Sequence, residues 1–366
     1  MTSEVMIVSS NSLVLSSDGA VTVKGRKTFT GVKKLFKLSI NPTSVIMVYG
    51  KPDFGSVDME SIIEEFKRQD NLTELDSIRS ITCEFIKFLE NYTFPDNVEY
   101  FVKYNLGIFK KTLSENLEGL DNDLFWDYIE SFEKEDKFSF IGDVYFEDII
   151  PDDVSDKKKA NGELLKIFSS YLSTMGTGIV IAGFDRKHKR PSFFHVGLMV
   201  NNGGEVEYCV LDYEENFDGN CIVSFAQDEE INTFLRGINS ELEVSIVNYF
   251  KSMLDSYLED FYLKLFYSKE FDDETLKKIK KYKNSLNEDF LFYEKSFVEE
   301  IDIWKDENYH SFLDIVPFLP KHVLAEFAKF LILIVSSKRK YSFDLENVGG
   351  DIDVCVVTKN QIQFYD

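Results

Sequence analysis

Thr2 is the residue in this chain with the most reactive chemistry open to it. Methionine aminopeptidase accepts small penultimate side chains, so removal of Met1 is expected and makes Thr2 the N-terminal residue. Its hydroxyl then sits beside a free α-amine, whose ordinary pKa is about 7.7–8.0. That amine serves as a general base near neutral pH, so nucleophile and base share one residue. Such a nucleophile needs a nearby cation to lower the hydroxyl and amine pKa values, and a carboxylate to hold that cation in place. Asp18 falls in Ser16-Ser17-Asp18-Gly19-Ala20-Val21-Thr22 and Lys34 in Gly31-Val32-Lys33-Lys34-Leu35-Phe36. They supply both residue types at a spacing that two strands would give.

The offsets from Thr2 are sixteen residues to Asp18 and thirty-two to Lys34. On ordinary residue usage an Asp and a Lys at two fixed offsets arise about once in a few hundred chains. Here the segments around them also agree. Thr2, the D-x-x-V-T segment at Asp18 and the K-K-L-F segment at Lys34 resemble the proteasome β-subunits and the bacterial HslV peptidase. Val45-Ile46-Met47-Val48-Tyr49-Gly50 resembles the family strand that ends in a cleft-lining glycine. Val348-Gly349-Gly350-Asp351-Ile352-Asp353-Val354 resembles the segment that opens its late strand. The likeness is close over residues 2–70 and 340–358 and looser over 178–237.

The resemblance implies an N-terminal-threonine (Ntn) hydrolase that cleaves amide bonds of a peptide or small amide through an acyl-enzyme. Thr2 is then the nucleophile, Lys34 the cation, Asp18 its orienting partner and the Gly50 N–H the oxyanion donor. No cofactor is implied. Homo-oligomerisation and an ATPase or adaptor partner are implied, because such relatives work inside rings fed by an ATPase. The implied fold is α+β, a four-layer α-β-β-α sandwich. It forms a single domain over 1–366 with helical insertions at 93–170 and 240–315, which have no counterpart in the short proteasome subunits.

The chain also departs from the family pattern. Leu345 and Val348 stand where active β-subunits carry an Asp and a Ser, with Asp344 adjacent. The family's Gly-Ser-Gly loop aligns with Val223-Ser224-Phe225-Ala226-Gln227, so Ser224 is the candidate for the serine's role although the glycines are missing. These losses support a rival, a catalytically silent scaffold on the same fold. Each site residue has a plain reading too. Asp18 before Gly19 is a common turn carboxylate, Lys34 a solvated strand lysine, and Gly50 or Gly349-Gly350 a simple strand end or turn.

Composition narrows the remaining classes. The net charge of −23 argues against a nucleic-acid binder, which needs clustered Lys and Arg. Cys83, Cys209, Cys221 and Cys355 form no C-x-x-C pair and lie in apolar stretches, so reduced, buried thiols are expected. His188, His195, His310 and His322 lack metal-ligand spacing, and His195 reads as a core or edge histidine. The N-terminus has no basic region ahead of an apolar run, so no signal peptide is expected. The apolar run from Phe327 to Val335 is far shorter than the roughly 20 residues of a membrane span. A cytoplasmic protein is the reading.

The elements that must position the site follow from hydrophobic period. Short runs around Val5, Leu13 to Leu15, Ala20 to Val23, Lys34 to Ile40 and Val45 to Tyr49 read as strands in tight hairpins. Ser56 to Gln69 and Leu75 to Tyr92 carry helical spacing, and a mostly helical stretch follows to about 150. Ala160 to Leu172 is a further helix. Strands return at Gly178 to Phe184, Phe193 to Asn201, Val206 to Asp212 and Cys221 to Phe225. Helices are expected from Asp228 to Leu235, over 240–310 and from Pro320 to about Ser337. The chain closes on strands Ile352 to Thr358 and Gln361 to Tyr365. Strands from both ends of the chain are expected to pair in one sheet.

Overall fold

In the computed structural model, residues 2–365 are described except 24–26, 52, 56, 70, 71, 73, 95–99, 118–120, 131–145, 147, 201–204, 268–272 and 343–347. The chain divides into two compact units, one of Met1–Gln227 with Pro317–Asp366 and one of Asp228–Val316. The first is a mixed α+β unit whose strands pair antiparallel throughout.

Its early strands are β1 (Ser3–Ser9), β2 (Ser12–Asp18), β3 (Val21–Val23), β4 (Lys27–Phe29), β5 (Leu35–Ile40), β6 (Thr43–Gly50), β7 (Asp53–Phe54) and β8 (Val57–Asp58). Helices α1 (Met59–Lys67), α2 (Ile78–Glu90), α3 (Tyr100–Leu117), α4 (Asn122–Glu130) and α5 (Lys157–Met175) follow. Then come β9 (Thr177–Phe184), β10 (Pro191–Val200), β11 (Val206–Glu214) and β12 (Cys221–Ala226). The second unit holds α6 (Glu229–Arg236), α7 (Ser240–Tyr267) and α8 (Asp273–Ile315). The chain returns to the first unit with α9 (Lys321–Tyr341), β13 (Ile352–Thr358) and β14 (Gln361–Tyr365).

One five-stranded sheet has the order β12-β1-β2-β13-β14, the other β11-β10-β9-β6-β5. The expected pairing of chain ends is present, with β13 beside β2 in register Ile352 to Asp18. Strand alternation sorts the side chains. Met6, Val8, Leu13, Leu15, Cys355 and Val357 of the first sheet share one apolar core with Leu35, Val45, Met47, Val180, Ala182 and Phe193 of the second. The alternate residues of β6 and β9, Ile46, Val48, Ile179 and Ile181, join α1 and α2 residues such as Ile62, Phe66, Ile81 and Phe85 in another core. Helix α9 packs on β1, β2 and β13, burying Leu324, Ala328, Leu331 and Val335, one stripe at helical spacing. Both faces of β1 are therefore covered, and all seven of its residues are buried.

The 93–170 segment supplies α3, α4 and most of α5, which runs on to Met175, and the three share an aromatic core containing Phe109, Phe125, Phe146 and Phe168. In the second unit, Phe250 stacks on Phe297 between α7 and α8. Lys305 bridges Glu243 at 2.8 Å and Asp302 at 3.0 Å. Gly237, at φ +81°, ends α6 in the left-handed conformation.

Two expectations need correction. The helix read from Ser56 begins only at Met59, because Val57 and Asp58 pair with β7 and the Asp58 carboxylate caps the Ser61 N–H at 2.9 Å. The four thiols are not uniformly buried. Cys355 is buried on β13, Cys209 and Cys221 are partly exposed, and Cys83 is exposed. Cys83 follows the buried Thr82 but lies off the stripe of α2 formed by Ile78, Ile81, Phe85 and Leu89. Among the described residues, no helix is long and apolar enough to cross a membrane.

Candidate active site

The start of β1, an interior strand, is pinned against the end of β12. The Gln227 N–H donates to the Thr2 carbonyl at 3.0 Å, and Ser3 Oγ donates to the Gln227 carbonyl at 3.1 Å. Thr2 is only 1% exposed. Its Oγ1 accepts a hydrogen bond from the Gly50 N–H at 3.3 Å and donates to Glu4 Oε2 at 3.1 Å.

Asp18, at the end of β2, is the anchor. Its Oδ1 accepts from Lys34 Nζ at 2.6 Å and from the Ser3 N–H at 3.2 Å, and its Oδ2 accepts from the Gly349 N–H at 2.9 Å. Lys34 is held beside β6, where the Val48 N–H donates to its carbonyl at 2.9 Å. Its ammonium also reaches Glu4 Oε1 at 3.3 Å. The polar groups thus run in series from Asp18 through Lys34 and Glu4 to the hydroxyl of Thr2.

Glu4 is fully buried. Burial pushes its carboxyl up to about 7, with a further push from Asp18, while Lys34 and the Thr2 hydroxyl pull the other way. A buried carboxylate sharing one ammonium with a second carboxylate is only partly compensated, so it takes up a proton more readily.

Gly50 occupies φ +82°, and a Cβ there would lie 2.5 Å from the Gly176 carbonyl oxygen. Only glycine gives this bend without strain, and the bend accompanies an N–H turned toward Thr2. Gly350, at φ +78° against Thr30, makes the turn that leads into β13.

A cavity of about 290 Å³ opens beside this group, lined among others by Lys33, Lys34, Tyr49, Gly50 and Lys51. Burial lowers the Lys51 ammonium to about 8, opposed by Asp53. Tyr49 hydrogen-bonds His195 Nε2 and stacks on Phe225 with ring centroids 5.7 Å apart. Burial and then Glu4 raise the Tyr49 hydroxyl above its ordinary range. His195 is half-buried on β10, within this aromatic group.

Thr2, Asp18, Lys34 and Gly50 are therefore brought together, while Ser224 is not. Ser224 lies opposite Val5, whereas its neighbour Phe225 lies opposite Glu4 and joins the core between the sheets. Cross-strand partners share a face, so Ser224 turns to the other side of the sheet from Glu4. Val348 is buried and apolar, and the backbone N–H after it, not a side chain, meets Asp18. Met1, Asp344 and Leu345 lie outside the described residues.

Glu4 is the participant that motif spacing did not single out. One signal for it was present: an acid alternating with Met6 and Val8 along an otherwise apolar strand. No protein-family model matches the chain. No curated protein matches it either.

Proposed function

We propose that this chain is an Ntn amidohydrolase, a peptidase or amidase with Thr2 as nucleophile after cleavage of the Met1–Thr2 bond. On this reading its first unit is a four-layer α-β-β-α sandwich of the proteasome-subunit kind. Two five-stranded sheets sharing one core, with α1 and α2 on one sheet and α9 on the other, support that part.

One observation carries the activity. Thr2 Oγ1 sits between a backbone donor, Gly50 N–H at 3.3 Å, and a buried carboxylate, Glu4 at 3.1 Å. Behind the carboxylate stands the Lys34–Asp18 ion pair at 2.6 Å. The hydroxyl attacks an amide carbonyl presented from the adjoining cavity, and the Gly50 N–H turns from Oγ1 to the developing oxyanion. Such a donor contributes about 3 kcal/mol of transition-state stabilisation. The amine leaves, and water then releases the acyl group from Thr2.

The buried apolar side chain of Val348 favours a second reading, a silent scaffold on the same fold. Hydrolysis of peptidyl-aminocoumarin and small aryl-amide panels separates the readings. The enzyme reading expects turnover with at least one panel and its loss in Thr2→Ala. No turnover in either protein favours the scaffold, and turnover equal in Thr2→Ala overturns Thr2 as the nucleophile.

A further inference from the structure

With Met1 removed, the α-amine of Thr2 is one base within reach of its own hydroxyl. The structure gives the hydroxyl another acceptor. On β1, side chains two positions apart point to the same face, so Glu4 shares a face with Met6 and Val8 and lies in the closed space between the sheets. It has no solvent exposure, its Oε2 is 3.1 Å from Thr2 Oγ1, and its Oε1 is 3.3 Å from Lys34 Nζ. The groups that face it are Asp18 from β2, Lys34 ahead of β5 and Tyr49 from β6. Phe225 closes the β12 side, directly across the pair.

We infer that the Glu4 carboxylate takes the proton of Thr2 Oγ1 during attack and returns it to the leaving nitrogen. This rests on the amidohydrolase reading and deepens it. In the first step the Oγ1–C bond forms, the Oγ1 proton passes to Glu4 Oε2, and the carbonyl electron pair moves onto oxygen beside the Gly50 N–H. That pair then returns, the C–N bond breaks, and the Glu4 proton goes to the departing amine. In the second half water attacks the ester and gives its proton to Glu4. The C–Oγ1 bond then breaks, and Thr2 Oγ1 regains the proton. Glu4 touches the reacting atom and is a catalytic residue in this scheme. Lys34 and Asp18 are positioning residues that hold its other oxygen.

A peptide nitrogen at Thr2 is not basic, whereas the Glu4 carboxylate is a base whether or not Met1 is attached. Nucleophile activation is thereby separated from N-terminal processing. The burial that raises the Glu4 pKa to about 7 suits a base working near neutrality.

The test is the rate at which a β-lactone acylates Thr2, followed by peptide mass mapping across pH, in wild type and in Glu4→Gln. The carboxamide keeps an oxygen for Thr2 but cannot take the proton. Glu4→Gln is expected to slow acylation about 100-fold or more and to abolish the rise in rate through neutral pH. A rate within about threefold of wild type, with the same profile, overturns the assignment and leaves Thr2 as nucleophile. A wild-type arm needs no variant. Carboxyl ionisation has almost no enthalpy and amine ionisation a large one, so the midpoint of the wild-type profile is expected to hold still on warming. A midpoint that falls on warming identifies the amine and overturns the inference. Absence of any adduct at Thr2 overturns the amidohydrolase reading itself, and the Glu4 role with it.

Discussion

Lys34 Nζ lies 2.6 Å from Asp18 Oδ1, and both side chains are sealed from solvent, at 5% and 0% exposure. The same ammonium reaches Glu4, so one buried cation serves two buried carboxylates. Removing one member of a buried charge group leaves the others uncompensated, and that cost exceeds the net worth of the intact group. The consequences fall on stability as well as on chemistry.

Lys34→Met is expected to destabilise the protein by about 3–5 kcal/mol at neutral pH, because it strands the carboxylates of Asp18 and Glu4. Urea denaturation monitored by far-ultraviolet circular dichroism measures it. A loss under about 1 kcal/mol would show that the ion group is solvated rather than sealed.

Glu4 links stability to pH with a definite sign. Its folded-state pKa, about 7, is raised above the ordinary 4.5, so the folded state holds the proton more tightly than the unfolded one. That stabilisation is complete below the ordinary pKa and is lost as pH rises through about 7. Between those limits wild type is expected to lose on the order of 3 kcal/mol relative to Glu4→Gln. Parallel denaturation curves for the two proteins across the window check this, and a constant difference contradicts it.

Gly50→Ala is expected to cost about 1–3 kcal/mol, from the positive φ and the close Gly176 carbonyl. It should also weaken Thr2 acylation more than a comparable loss of stability elsewhere, since the strain displaces the N–H aimed at Oγ1. Acylation rates measured well below the melting transition separate the two effects.

Ser16 Oγ is buried without a hydrogen-bond partner among the described residues. Ser16→Ala removes an unsatisfied hydroxyl and is expected to be neutral or to stabilise by up to about 1 kcal/mol. Thermal unfolding measures it. A loss of more than about 1 kcal/mol would point to a hydrogen bond formed in solution.

Much of the site was legible because it is built from short-range spacing on strands. Thr2, Asp18 and Lys34 fall at the ends of hairpin strands whose apolar runs were readable, and Gly50 ends a run with a strong strand pattern. Ser224 was misplaced because alignment of a loop says nothing about strand parity, and parity turned it to the other face. Glu4 escaped because an acid in a strand reads as solvent-facing until a second sheet is known to cover it. The helix starts at Met59 and Ile78 were blurred for a related reason. Val57 and Leu75 fit the apolar period, but the capping side chains of Asp58 and Ser77 set the boundaries.

The most direct measurement is intact-mass analysis of folded wild type and Thr2→Ala after treatment with a hydroxyl-acylating β-lactone, with the adduct mapped by peptide sequencing. The account predicts a single acyl adduct on wild type, located at Thr2, and none on Thr2→Ala. No adduct on wild type, or an equal adduct on both proteins, contradicts it.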